Sequence, residues 1–256
     1  SERNLPFQIH AAQSATEFYE MQRRHGQTPI GWMDDIGVLT DRSIIGHGIF
    51  MDHHPWLHWT SRDDLGRMAE SGATIAHCPT VFVRRGIALN TFGEYGRRGI
   101  NLGIGTDTYP HNYLDEMRTA LYTARAVGGS VADLKTTDVF NAATVGGARA
   151  LRRDDIGRLA VGARADIVMS DLKHPAMMPV REPLRSLIYV AGDRAIREVF
   201  VDGDHVVRAG QVQTIDLAAA SQALEDAQQR SMAKVPSRDW AGRDTDTLAP
   251  MVLPVE

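Results

Sequence analysis

Along the first half of this chain, apolar residues fall in short runs, each closed by a polar group. The runs lie in QIHAAQ (Gln8–Gln13), IIGHGIF (Ile44–Phe50), TIAHCPT (Thr74–Thr80) and NLGIGTDTYPHN (Asn101–Asn112). Short continuous apolar runs of this kind suit strands buried on both faces of a parallel sheet. The closing groups are His10, His47, His77 and Asp107. Between the runs the spacing becomes helical. The segment SATE at Ser14–Glu17 has the form of a capping box and opens a helix ending near Gly26. Ser61–Asp64 opens a second helix, ending near Gly72. Leu114, Met117, Leu121 and Ala124 share one face of a third, which Gly128 and Gly129 stop. A fourth, near Thr137–Leu151, offers small, alanine-rich packing positions. Strands alternating with helices predict an α/β fold with a parallel sheet.

The pattern changes near Asp155. Ile156–Met169 reads as a turn and then a strand, and Ile196–Val201 with His205–Val207 reads as a hairpin turning at Asp202 and Gly203. Asp216–Ala233 is helix-compatible, with Leu217, Ala220 and Leu224 on one side. Pro236–Glu256 is polar and proline-containing, as expected of a surface arm or docking tail. The expected division is an α/β region at 1–155, a small β module at 156–215, and a helix with a tail at 216–256.

Composition narrows the partners. The 256 residues carry a net charge of −4, which gives no basic surface for nucleic acid or an anionic membrane. No apolar stretch is long enough to span a bilayer, and no signal peptide is expected ahead of Ser1. Cys78 is the only cysteine, so no intrachain disulfide forms and a cytoplasmic setting is expected.

Three imidazoles and a carboxylate at successive strand ends suggest a metal-dependent hydrolase on an α/β barrel, where side chains gather at the C-terminal ends of different strands. A closed eight-stranded barrel takes roughly 250 residues. Here the strand runs from His10 to Asp107 occupy less than half the chain and cannot close one. A second segment, cleaved or on another subunit, is therefore expected to supply the missing strands, unless the open sheet edges are covered some other way.

Each candidate has a plainer reading. His10 is a ligand or a core or surface histidine. Asp107 is a site carboxylate or a helix N-cap, although the residues that follow, Thr108–His111, delay the helix and weaken the cap reading. His47 lies between Gly46 and Gly48, which allow close approach of backbone or ligand, or it is a turn histidine. His77 contacts substrate or is a buried structural histidine. Cys78 reads as a small core residue, since nothing suggests a depressed thiol pKa. The aromatic-rich loop Asp52–Trp59, with Trp56, is a stacking wall for a planar ring or a packed surface or oligomer contact. His111, beside Asn112, binds substrate or caps the helix. Arg84 and Arg85 hold a carboxylate or are simply solvated.

The segments HCPT, GIGTD and IGRLAVGARADIVMSDL, taken together, resemble the C-terminal half of the amidohydrolase superfamily, in its chlorohydrolase, cytosine-deaminase and guanine-deaminase-like branch, from about Phe7 to Gly210. The resemblance implies strands 5–8 of a TIM-like (β/α)8 barrel, followed by a small β-sandwich segment. It implies one divalent metal, zinc with iron as the alternative, because histidine and carboxylate ligands suit both. His10 matches the family's fifth-strand metal ligand, His47 its sixth-strand histidine, and Asp107 its eighth-strand ligand and proton carrier. The family's first-strand HxH pair has no counterpart. His53, His54 and His58 lie in a post-strand loop, so an N-terminal half or partner chain is expected to carry it.

Gln13 stands where the family often has the glutamate of H-x-x-E. An amide can hydrogen-bond substrate but cannot move a proton at ordinary pH. Glu17 fits the capping box instead. The implied function is hydrolysis of a C–N or similar bond in a small cyclic amidine, amide or heterocycle, for example deamination, by a homo-oligomer. In that reading His10 holds the metal, Asp107 moves the proton, His47 orients the nucleophile or steadies the oxyanion, and Gln13, His77, His111 and Trp56 contact substrate. The alternatives are a non-catalytic fragment or structural subunit, and a metal-free α/β binding protein.

Overall fold

The computed structural model describes residues 5–89, 92–109 and 111–253. Pro110 and the last residues of the expected tail, 254–256, lie outside them. In chain order the elements are β1 (Phe7–Ala11), α1 (Ala15–His25), α2 (Pro29–Asp35), β2 (Ser43–His47), α3 (Asp64–Ser71), β3 (Thr74–His77), α4 (Pro79–Val83), α5 (Phe92–Arg97) and β4 (Asn101–Ile104). Then come α6 (Tyr113–Gly128), α7 (Thr136–Asn141), a π-helical turn at Ala142–Gly146, α8 (Gly147–Ala150), β5 (Ile167–Ser170) and α9 (Pro183–Ser186). The chain continues with β6 (Ile196–Val201), β7 (Asp204–Arg208), β8 (Gln211–Val212), α10 (Leu217–Arg238) and α11 (Thr245–Leu248). No helix among the described residues is long and apolar enough to cross a membrane.

The fold is mixed α/β. The first four strands form one parallel sheet in the order β1-β2-β3-β4. Its register aligns Ile9, Ile45, Ile75 and Leu102 in one row across the strands. The next row is His10, Gly46, Ala76 and Gly103, so the other residues in the row of His10 are small. Ile45 and Ile75 are fully buried in a core shared with Phe18, Ile30, Met68, Tyr95 and Leu121. The β1 edge differs: Phe7 and Ile9 are 39% and 43% exposed, an apolar parallel edge with nothing over it among the described residues.

The helix ends mix local and distant devices. Ser14 Oγ accepts from the Glu17 amide at 3.1 Å, as the capping pattern predicts. The Glu17 carboxylate, however, reaches back to the Ala12 and Gln13 amides at 2.8 and 2.7 Å, tying the end of β1 to α1. Gly26 and Gly72 close α1 and α3 in left-handed conformations. Ser61 does not cap α3. Asp52, upstream, accepts from Ser61 Oγ at 2.8 Å and from the Asp63 amide at 2.7 Å. Asp64 is buried and receives Thr28 Oγ1 at 2.6 Å, and burial pushes its carboxyl up to about 6. Asn112 Oδ1 caps α6 by accepting from the Asp115 amide at 3.2 Å, so neither Asp107 nor His111 does.

The expected fourth helix is α7, the π turn and α8 in succession. Its Gly146 presses on β4, since a Cβ there would lie 2.1 Å from the Leu102 carbonyl oxygen. Strands β5–β8 form a second, antiparallel sheet. Its hairpin turns at Asp202 and Gly203, with φ of 52° and 88°, the left-handed pair that a two-residue type I′ turn needs. The arm expected from Pro236 begins inside α10, which runs on to Arg238, and α11 follows it.

Candidate functional site

The C-terminal ends of the parallel strands bring together His10, His47 and Asp107, with one donor atom of each lying within 4.8 Å of the others. His10 is the fourth residue of β1 and is exposed. Its imidazole lies over Gly46 in the neighbouring strand, where an added Cβ would come within 2.9 Å of His10 Cδ2. His10 and His47 stack with ring centroids 4.9 Å apart at 16°.

His47 ends β2 with φ of 77°, and Gly48 follows at 55° with no room for a Cβ, which would lie 2.6 Å from Ile75 Cδ1. This turn folds the His47 side chain into the protein at 1% exposure, against the edge of Phe82 at 4.7 Å. Its Nδ1 is buried with no hydrogen-bond partner among the described residues. Burial pushes its pKa down; the Asp107 carboxylate opposes this and His10 adds to it. The imidazole is therefore neutral at neutral pH, the form that can ligate a metal or accept a proton.

Asp107 is exposed, three residues beyond β4, at φ of 58°. A left-handed non-glycine residue costs about 1 kcal/mol or more and persists where the surroundings hold it. One tie is at hand: Thr106 Oγ1 and His111 Nδ1 are 3.0 Å apart, bracketing Asp107.

The other expected residues lie outside this three-residue group. His77 lies at the end of β3 at 2% exposure, against Phe92 at 4.9 Å. Its Nδ1 has no hydrogen-bond partner among the described residues, and burial pushes its pKa down to about 3. It does not join the cluster. Trp56 is 55% exposed on a short helical turn, with His54 and Phe50 at 5.6 and 6.0 Å. His54 Nδ1 accepts from the Trp56 amide at 3.3 Å, a structural task. Gln13 is exposed just past β1. Burial pushes the Cys78 thiol up to about 12, in keeping with a core residue. His111 is exposed and tied to Thr106.

Two imidazoles and a carboxylate are a donor set that zinc or iron accepts. The buried, unpartnered Nδ1 of His47 and the space that Gly46 leaves for the His10 ring fit a metal at this point. Sequence reasoning did not anticipate the left-handed backbone at His47 and Asp107. It also missed Glu116, buried in α6, whose Oε2 accepts from the Thr80 amide at 3.1 Å and seats α4 after the HCPT turn. The glycines flanking His47 were the one local signal of the first feature. Nothing local marks Glu116.

Known proteins resemble this chain in sequence and fold. A 5-methylthioadenosine/S-adenosylhomocysteine deaminase from Pyrococcus abyssi is 31% identical over 212 residues, covering 81% of this chain and 48% of its own length. The structure of an adenosine deaminase from Xanthomonas campestris with bound zinc superposes with a TM-score of 0.79 at 29% identity, over 88% of this chain and 50% of that one. An atrazine chlorohydrolase from Arthrobacter aurescens, complexed with zinc, gives 0.76 at 23% identity over 88% and 49%, a likeness of fold. The chain thus spans about half the length of the relatives it matches. The sequence pattern of the amidohydrolase family matches residues 1–206, and with the strand-end cluster in place the conclusion is that the chain belongs to that family.

Proposed function

We propose that this chain carries the fifth-to-eighth-strand half of a metal-dependent aminohydrolase barrel, at residues 1–155. A β-sandwich segment follows at 156–215, and a helix and tail at 216–256. The observation that carries the reading is the convergence of His10, His47 and Asp107 at the ends of β1, β2 and β4 of one parallel sheet. The uncovered apolar edge at β1 supports an N-terminal half or partner chain alongside it, carrying the HxH pair. The reaction is hydrolytic removal of an amino group, or a comparable leaving group, from a small heterocycle. The deaminase and chlorohydrolase relatives support that class. A homo-oligomer in the cytoplasm completes the proposal.

Bound at this point, zinc would supply Lewis acidity and activate water near neutral pH. His10 and Asp107 would hold it. The Asp107 carboxylate then takes the proton of the attacking water and passes it to the leaving nitrogen. The neutral His47 imidazole orients the water and steadies negative charge developing on substrate. Gln13, exposed three residues beyond His10, offers its amide to the substrate ring without moving a proton. Trp56 and His111 present exposed surface for substrate. His77, at the end of β3 between β2 and β4, is a further candidate substrate contact, its buried Nδ1 unpartnered among the described residues.

The test is Asp107→Asn in the assembled protein, assayed for ammonia release from a panel of aminated heterocycles. Asparagine tolerates the left-handed backbone but cannot accept the proton. Turnover is expected to fall about 10³-fold with the circular dichroism unchanged. Retention of most of the rate rules out the proton-transfer role.

A further inference from the structure

We propose that Arg84 is a positioning residue that holds Asp107 in place, a claim that rests on the metal-centre reading above. Arg84 follows α4, the short helix that leaves the end of β3. Its Nη2 donates to Thr108 Oγ1 at 3.0 Å and its Nη1 to the Tyr109 carbonyl at 3.4 Å, while its guanidinium lies over the Tyr109 ring at 5.3 Å. These contacts grip the two residues that follow Asp107. On the near side, Thr106 and His111 close the loop at 3.0 Å. The left-handed Asp107 backbone is thereby fixed from both flanks.

The helix that leads into Arg84 is itself held in place. The α4 N-terminus is seated by the buried Glu116 through the Thr80 amide, and Phe82 of the same helix packs on the His47 ring at 4.7 Å. One short helix thus sets two of the three cluster members, His47 by packing and Asp107 through the guanidinium fork. A planar fork can donate in two directions at once and also stack on a ring, which an ammonium cannot reproduce.

The test uses the protein assembled with its HxH-bearing half and three variants, Arg84→Ala, Arg84→Lys and Thr108→Ala. Zinc affinity is read by chelator competition, with amide hydrogen exchange across residues 106–112. Arg84→Ala is expected to weaken zinc binding about 10-fold and to speed exchange in the loop, the usual scale for losing a residue that orients a ligand. Arg84→Lys recovers only part of the affinity. Thr108→Ala, which removes one contact from the loop side, gives a smaller loss of the same kind and serves if Arg84→Ala does not fold. Wild-type zinc affinity and exchange in the Arg84→Ala and Thr108→Ala variants overturns the proposal. So does a rise in KM alone at unchanged zinc affinity, which would make Arg84 a substrate contact. If the assembled wild-type protein binds no zinc, or Asp107→Asn leaves binding untouched, the metal-centre reading itself fails and the positioning claim falls with it. If Asp107→Asn abolishes binding and Arg84→Ala does not change it, only the positioning claim fails.

Discussion

In the antiparallel sheet, Glu198 shares a 2.6 Å hydrogen bond with His205 and accepts the Ala209 amide at 3.0 Å, while Asp202 pairs with Arg164. At the ends of the parallel sheet, His47 and His77 keep buried Nδ1 atoms with no hydrogen-bond partner among the described residues. A buried polar group without a partner costs about 1–3 kcal/mol, and the left-handed backbones of His47 and Asp107 add to that. Glu198, His205 and Asp202 pair within or beside their sheet, whereas the unpartnered His47 imidazole stands beside the Asp107 carboxylate. The difference separates a structural layer from one kept ready for a ligand.

The contrast can be pressed at the scaffold first. Gly146→Ala places a Cβ against the Leu102 carbonyl at 2.1 Å, where backbone must move. It should destabilise the protein by about 3 kcal/mol and lower Tm by roughly 6 °C. A Tm within a degree of wild type would mean that this helix does not press on β4. Gly46→Ala acts on the site instead. Its Cβ meets the His10 ring at 2.9 Å and the Gln8 amide at 3.1 Å, both movable side chains. Zinc affinity should fall about 10-fold or more while Tm changes little. Loss of Tm without loss of affinity would reverse the assignment.

Gln13→Glu sharpens the chemistry. A carboxylate there brings a second negative charge towards Asp107, and the like-charge raising of carboxylate pKa values opposes proton acceptance, although the metal works against this. Steady-state kinetics across pH should show kcat/KM lowered several-fold, on the order of 1 kcal/mol. A clear gain in kcat with a new acidic limb would show that a carboxylate at this position belongs in the proton path. The smallest effect is expected for Glu198→Gln in the antiparallel sheet. Turnover and zinc affinity should stay at wild-type values, with only a slight fall in Tm. A loss of zinc affinity would tie the second sheet to the site and dissolve the contrast.

Much of this was legible where the deciding physics is local. Buried strands read as apolar runs, and the hairpin follows from Asp202 and Gly203. Gly26, Gly72 and Gly129 end helices because their left-handed backbone favours glycine. The strand-end polar groups were visible because they interrupt apolar runs. What escaped depends on residues distant in sequence. Asp52 replaces Ser61 in ordering the start of α3, and Glu116 seats α4 from α6. Helix α2 was missed although Thr28 and Pro29 form an ordinary start signal, with Thr28 Oγ1 accepting from the Gly31 amide at 2.8 Å. The seven residues of α2 are too few for a helical period to stand out. The separation of His77 from the cluster was equally hidden. Its run looks like that of His47, and only the left-handed turn at His47 tells them apart.

The central claim is that His10, His47 and Asp107 form one half of a metal centre. Anomalous diffraction at the zinc edge, on crystals of the zinc-loaded protein, tests it most directly. The account predicts a single strong peak at the C-terminal ends of β1, β2 and β4, within bonding distance of His10 and Asp107 and beside His47. A peak elsewhere on the chain, or none at this cluster in zinc-saturated crystals, would contradict it.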